Sequence, residues 1–153
     1  MVNVLDKVQP KTKEQLKQLI NYAFKHNIYD LNFIDTSKIT DMYELFPSVA
    51  HNFNVSSWDV SNVIDMFNMF DGCTNFNCDL SSWDVSKVKD MSFMFNQCKV
   101  FEGKGLEQWN VSNVEDFREM FYKCSKVTIP SWYKYKQICV NFQIKYNLKI
   151  GYN

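Results

Sequence analysis

The segment WDVSNVIDMFNMF at residues 58–70 recurs along the chain and decides its fold. Two close copies follow it, WDVSKVKDMSFMF at 83–95 and WNVSNVEDFREMF at 109–121. A more divergent copy, IDTSKITDMYELF, precedes it at 34–46. The copies begin about 25 residues apart. A fixed period of this length indicates a repeat architecture in which each unit buries its apolar side against its neighbours.

Each copy carries the same order of residue types, which predicts a short strand followed by a helical segment. Apolar pairs three residues apart, such as Val60 and Val63, suit the strand. An aspartate follows in every copy, and its carboxylate is expected to cap one or two helical turns. These aspartates are Asp41, Asp65, Asp90 and Asp116. A second apolar pair would then face the core, and a cysteine closes the turn in three copies, as Cys73, Cys98 and Cys124.

The two ends of the chain differ from the repeats. Thr12 precedes Gln15 by three residues, as in a capping box, and apolar residues then follow helical spacing. Residues 13–26 are therefore predicted to form an amphipathic helix. Residues 140–150 alternate strictly between apolar and polar, which is typical of a strand or hairpin. The prediction is one domain, 1–153, with an N-terminal cap at 1–33, repeats at 34–131 and a C-terminal β cap at 132–153.

Composition narrows the classes of function. The chain has 17 basic and 17 acidic residues, and this zero net charge gives no reason to expect a nucleic-acid partner. No apolar run approaches the roughly 20 residues needed to span a bilayer, so membrane insertion is not expected. The first residues lack a signal-peptide pattern, which predicts a cytoplasmic protein, or a surface or secreted one only if the N-terminus was trimmed. Five cysteines, an odd number, suit a reducing compartment.

No constellation of residues in the repeats indicates catalysis or a cofactor. The aspartate column could be a cation ladder, but one carboxylate per copy falls short of the several oxygen ligands of calcium, and capping is favoured. The cysteines lack the short spacings of structural zinc sites, and a disulfide between Cys73 and Cys78 is the weaker alternative to free thiols. His26 and His51 lie near no Cys or Ser motif. The chain is therefore predicted to be no enzyme and to have no metal or cofactor.

The phrase WDVSNVIDMFNMFDGC at residues 58–73, with Phe-Asn pairs at 53–54 and 76–77, closely resembles the BspA-type leucine-rich-repeat-like family. The resemblance covers roughly residues 34–124. It implies a right-handed solenoid of short strands and helical turns, used for protein contact or adhesion, without enzymatic activity. With the two ends added, the expected fold class is α/β: a short right-handed leucine-rich-repeat-like solenoid of short parallel strands and helical turns, with an N-terminal capping helix and a C-terminal β cap.

The variable positions of the helical segments carry the functional prediction. Each helical segment has two variable positions between its apolar residues, and in three of the four copies one of these positions holds an aromatic residue. Stacking of the copies would align these aromatic side chains on one surface. An exposed aromatic row is typical of contact surfaces. The predicted protein-binding residues are Tyr43, Phe67, Phe93, Arg118 and Glu119. The alternative is that these side chains fold against the connectors or the terminal segments.

These observations predict a non-catalytic protein–protein interaction module whose partner is a protein that the sequence does not identify. An alternative is an effector encoded by a phage or virus that inhibits a host protein by occlusion. The small size of the chain allows this, as does its composition, which is rich in lysine and asparagine as in proteins encoded by AT-rich genomes. A second alternative is a structural subunit that assembles through its C-terminal strand. Residues 138–150 would then form a homo-oligomer by pairing strand edges.

Overall fold

The computed structural model describes residues 7–137. Within this range the regular elements are helix α1, Lys13–Lys25, a short 3-10 turn at Leu106–Gln108 and a helical segment at 131–137. β pairing in the described residues is limited to isolated parallel bridges. The predicted α/β leucine-rich-repeat-like solenoid of short parallel strands and helical turns is therefore wrong.

Consecutive β-turns stand where strands were predicted. In the second copy the Trp58 amide donates to the Val55 carbonyl at 3.1 Å, and the Val63 amide donates to the Val60 carbonyl at 2.9 Å. Between these turns, the Asp59 carboxylate accepts the amide of Ser61 at 3.0 Å. An Asx-turn of this kind gives the backbone a local hydrogen bond that competes with an extended conformation. A chain that turns this often cannot build a strand.

Overlapping β-turns also replace the predicted helical turns. The amides of Met69, Asp71 and Cys73 each bond to the carbonyl three residues earlier. Asn68 lies in the left-handed region with φ 53°, as do the equivalent residues Glu44, Phe93 and Glu119 with φ of 47°, 56° and 50°. One left-handed residue interrupts a right-handed helix, because the helix needs the same backbone angles at every position.

Backbone amides that are not used in these turns form hydrogen bonds between neighbouring copies. Met66, Asn68 and Phe70 donate their amides to carbonyls of the third copy, at distances of 2.9–3.1 Å. Parallel bridges connect the aspartates of successive copies, Asp41 to Asp65, Asp65 to Asp90 and Asp90 to Asp116. Equivalent residues of neighbouring copies therefore lie side by side, at the spacing of about 4.8 Å that backbone pairing imposes.

Aromatic side chains form the core between the copies. The Phe95 ring stacks on Phe70 with centroids 5.4 Å apart, and on Phe121 at 5.8 Å. The tryptophan indoles bond across copies: Trp83 Nε1 donates to the Val55 carbonyl at 3.1 Å, and Trp58, Trp109 and Trp132 make equivalent bonds to Leu31, Leu80 and Leu106. Each indole N–H thus finds an acceptor when its ring is buried, as a polar group in a core requires.

The helix expected over 13–26 is present as α1, Lys13–Lys25. The hydroxyl of its N-cap residue, Thr12, accepts the amide of Gln15, and the Gln15 side chain accepts the amide of Lys11. The helix buries Leu16, Ile20 and Ala23, and the Phe24 ring contacts the Phe46 ring of the first copy, with centroids 6.3 Å apart. The first copy is thereby covered on the side of α1.

The predicted C-terminal β cap, 132–153, is wrong where the structure describes it, because residues 131–137 are helical. Tyr133 packs its ring against Phe121, with centroids 5.0 Å apart, and so contacts the fourth copy. The alternating segment 140–150 and the proposed oligomer contact at 138–150 lie outside the described residues.

Candidate protein-binding surface

An aspartate in each copy positions the variable side chains on the surface. Asp65 Oδ1 accepts the amide of Phe67 at 2.9 Å, and Asp41 does the same for Tyr43 at 2.8 Å. The aspartates of the third and fourth copies bond in the same way to the second residue after them. These carboxylates therefore close Asx-turns, and the prediction that they cap helices is wrong.

Three aromatic side chains meet on this surface, and we name them the aromatic row: Tyr43, Phe67 and Phe93. The rings of Tyr43 and Phe67 stack with centroids 5.0 Å apart and planes 12° from parallel. Phe93 meets Phe67 edge to face at 5.9 Å. Tyr43 is 38% exposed, and the two phenylalanines are half-buried. The structure thus brings together three of the five residues that the sequence singled out.

Phe93 joins the row from a different position in its copy. It aligns with Asn68, whereas Ser92 aligns with Phe67 and is buried. The Ser92 hydroxyl and amide both bond to Asp90, at 2.6 and 2.8 Å. The left-handed backbone at Phe93, φ 56°, accompanies this arrangement. Such a backbone is uncommon for a bulky side chain.

A cation bonds to the aspartate at each end of the row. At one end the ammonium of Lys13 lies 2.7 Å from Asp41 Oδ2 and 5.1 Å from the centroid of the Tyr43 ring. At the other end the Arg118 guanidinium bonds to Asp116 through Nε and Nη2, at 2.6–3.0 Å. Burial opposes ionisation of Asp116, but the hydrogen bonds from Arg118 outweigh it and lower the pKa of that carboxyl.

The two central aspartates have a different environment. Within residues 7–137, neither Asp65 nor Asp90 forms an ion pair of 4 Å or less. Burial raises the pKa of Asp65, and the negative charges of Asp90 and Asp41 raise it further. The hydrogen bond from the Phe67 amide and the charge of Lys13 lower the pKa, but they do not cancel this rise. The surface beside the row therefore carries more negative than positive charge.

Arg118 and Glu119 occupy different surroundings. The Arg118 carbonyl accepts the Phe93 amide at 2.9 Å, so Arg118 lies next to the aromatic row. Glu119 lines a separate surface cavity of about 460 Å³ with Tyr122 and Tyr133, which none of the three row residues lines. Lys13, which the sequence did not single out, belongs to the row's surroundings. It comes from α1, far from the repeats in sequence, and no local pattern signals the contact.

The cysteines Cys73, Cys78 and Cys98 are buried in the core, and Cys124 is half-buried against it. Cys73, Cys78, Cys98 and Cys124 are free thiols, and Cys98 donates to the Phe70 carbonyl at 3.1 Å. Burial raises the pKa of Cys73 to about 12 and that of Cys124 to about 11. These thiols therefore stay protonated and act as small packed side chains.

The described part of the chain has neither a metal-binding cluster nor a membrane-spanning helix. Between residues 7 and 137, no group of three or more His, Cys, Asp or Glu side chains is arranged to hold a metal ion. In the same range no helix has both the length and the apolar character needed to cross a membrane.

Comparison with known proteins identifies a family for this sequence. Residues 14–132 match the family described as “Mycoplasma protein of unknown function, DUF285”, a range that includes all four copies and all of α1 except its first residue, Lys13. No curated protein and no solved structure matches the chain.

Proposed function

This chain belongs to the DUF285 family of mycoplasma proteins of unknown function, and we propose that it is a non-catalytic module that binds a protein partner. The aromatic row would be the centre of the contact surface, with Arg118 beside it. The resemblance of the repeats to BspA-type proteins supports the same kind of role, and we propose that relationship together with the function.

The observation that carries the proposal is the contact of three aromatic rings outside the core. The buried pair of every copy fills the interior: Leu45 and Phe46, Met69 and Phe70, Met94 and Phe95, and Met120 and Phe121. The ring contacts of Phe67 among the described residues are with Tyr43 and Phe93 alone. These rings therefore add little to the core, and clustered, partly exposed aromatic rings are the side chains that most often dominate binding energy.

The backbone at Phe93 gives independent support. A left-handed conformation at a non-glycine residue costs roughly 1 kcal/mol, and asparagine tolerates it better than phenylalanine. The equivalent residue of the second copy is Asn68, with φ 53°. Because the equivalent residue is left-handed in all four copies, the repeat itself sets this conformation, and only the choice of a poorly suited residue calls for a further reason. A binding role for the ring explains why the strained position holds phenylalanine.

The test replaces the row while leaving the core unchanged. A photo-crosslinking amino acid at position 43 in the full chain would first capture the partner in the source cell. Affinity for that purified partner is then measured for the double variant Phe67→Ser, Phe93→Ser. We expect at least about a tenfold loss, because one aromatic hot-spot residue typically contributes about 2 kcal/mol.

The control removes two apolar side chains from the surface elsewhere. Ile28 and Val100 are 40% and 37% exposed, more than the half-buried Phe67 and Phe93, and neither belongs to the row. The variant Ile28→Ser, Val100→Ser should keep its affinity within about twofold, as is typical of contacts outside a hot spot. Equal affinities for the row variant and the control variant would refute the proposed function.

A further inference from the structure

The contact of Lys13 with Tyr43 and Asp41 shows how this surface holds a cation. The Lys13 ammonium bonds to Asp41 Oδ2 at 2.7 Å and lies 5.1 Å from the centre of the Tyr43 ring. The other carboxylate oxygen, Oδ1, is occupied by the amide of Tyr43. One oxygen therefore closes the turn, and the second, together with the ring, binds the cation.

The same elements recur in the next two copies. In the second copy the Phe67 amide bonds to Asp65 Oδ1, and the Phe67 ring follows the Tyr43 ring directly. In the third copy Asp90 Oδ1 accepts the Ser92 amide, and the Phe93 ring takes the next place in the row. The second oxygens, Oδ2, of Asp65 and Asp90 make no hydrogen bond or ion pair with any described residue.

We propose that the protein partner presents two basic side chains, lysine or arginine, which bind beside Phe67 on Asp65 Oδ2 and beside Phe93 on Asp90 Oδ2. This inference rests on the proposed function and names the chemistry of its partner. Each cation would repeat the ion pair that Lys13 forms with Asp41, with its stem against the neighbouring ring, because Tyr43 and Phe93 already contact the Phe67 ring. Neighbouring copies are about 4.8 Å apart, close to the roughly 5–6 Å between residues on one face of a helix, and long basic side chains can also adjust to it from one face of a strand, where the spacing is about 6.7 Å.

Charge complementarity favours a basic partner. Four carboxylates line this side of the row, at Asp41, Asp65, Asp90 and Asp116, and only two of them are paired with a cation of the described residues: Asp41 with Lys13 and Asp116 with Arg118. Lys13 and Arg118 act on Asp65 and Asp90 only at longer range. A partner cation would offset the unfavourable burial and like-charge repulsion that Asp65 experiences.

An organic cation suits these groups better than a metal ion. Calcium binds six to eight oxygen atoms, and each copy offers one carboxylate oxygen beside an aromatic ring. An ammonium or guanidinium group needs only a carboxylate oxygen for its charge and apolar surface for its stem, and in the second and third copies Oδ2 and the neighbouring ring provide both.

The experiment uses defined peptides with the full-length chain labelled with ¹⁵N. The probe is the acetylated and amidated pentapeptide Lys-Gly-Lys-Gly-Lys, and two analogues replace each lysine with norleucine or glutamate. Amide shifts are followed during titration. We expect saturable shifts at Phe67, Asn68 and Phe93 with the lysine peptide, with an affinity on the order of 1 mM, and no saturation with either analogue.

Two variants locate the binding oxygen. In Asp65→Asn, Asp90→Asn the amide oxygen can still close each turn, as Asn110 does for Ser112 at 3.2 Å, but the charge is gone. We expect the affinity for the lysine peptide to fall at least about fivefold. The control is Asp59→Asn, Asp84→Asn, which removes two charges from Asx-turns at another corner of the same copies and should leave that affinity unchanged.

Three outcomes would overturn the inference. The first is equal binding of the norleucine peptide, which would mean that the row recognises apolar groups and would leave the proposed function intact. The second is unchanged affinity in Asp65→Asn, Asp90→Asn, and the third is no saturable binding of the lysine peptide. Failure of the proposed function would be seen elsewhere, as unchanged partner affinity in Phe67→Ser, Phe93→Ser.

Discussion

The Phe93 ring meets the Phe67 ring edge to face, with centroids 5.9 Å apart, although the two residues occupy different positions in their copies. Phe93 is one position further along its copy and lies in the left-handed backbone region, at φ 56°. Phe67 is not among the residues with positive φ. The row is therefore continuous in space but not in sequence register.

This difference in backbone predicts different responses to asparagine. Phe93→Asn and Phe93→Ala both remove the ring, but only asparagine is well suited to the left-handed region. We expect Phe93→Asn to be more stable than Phe93→Ala by about 0.5–1 kcal/mol, measured as the free energy of unfolding in urea. At Phe67 the same pair of substitutions should show no such advantage for asparagine. An equal advantage at both positions would contradict this account of the Phe93 backbone.

Removing an indole N–H donor should lower the free energy of unfolding by an amount that depends on how deeply the indole is buried. Trp83 is buried, and its N–H bonds to the Val55 carbonyl at 3.1 Å. Trp83→Phe removes one of two donors to that carbonyl, which keeps the Trp58 amide, and we expect a loss of about 0.5–1.5 kcal/mol in the free energy of unfolding from this bond. Trp132 makes the equivalent bond to Leu106 but is only half-buried, so water can replace its donor. Trp132→Phe should therefore cost clearly less, and equal costs in guanidinium unfolding would refute the argument.

Asp65 predicts a pH dependence of stability. Burial, together with the charges of Asp90 and Asp41, raises the pKa of Asp65 in the folded chain. The Phe67 amide and Lys13 lower it, but by less. The folded state therefore holds this proton more tightly than the unfolded state, and the contribution of Asp65 to stability falls as pH rises from about 4 through the folded pKa. Asp65→Asn removes the penalty, so its stability relative to the wild type should be higher at pH 7 than at pH 3.

Asp84 is the control for that measurement. The hydrogen bonds from the Ser86 side chain and amide lower the pKa of Asp84. Its contribution to stability is present above the unfolded pKa and is lost as pH falls through the folded pKa. Asp84→Asn should therefore become less stable, relative to the wild type, as pH rises from 3 to 7. Thermal unfolding of both variants across this range gives the two slopes, which should have opposite signs.

The hydrophobic pattern predicted which residues are buried, but it did not predict the path of the backbone. Each predicted core pair is buried, including Met69 with Phe70 and Met94 with Phe95. The strands predicted around Val60 and Val63 are absent, because an apolar pair three residues apart fits the two ends of a β-turn as well as it fits a strand. An Asx-turn at the Asp-x-Ser motif, for example Asp59 with Ser61, lies between these β-turns and competes with an extended path.

The sequence by itself determined the register of the four copies, helix α1 and the residues that are buried, since period and apolar spacing depend on local chemistry that repeats. Only the tertiary structure decided how the surface is assembled. The contact of Phe93 with Phe67 depends on a left-handed residue that has no glycine to signal it. The ion pair of Lys13 with Asp41 joins α1 to the repeats across 28 residues, a distance over which no local pattern carries information.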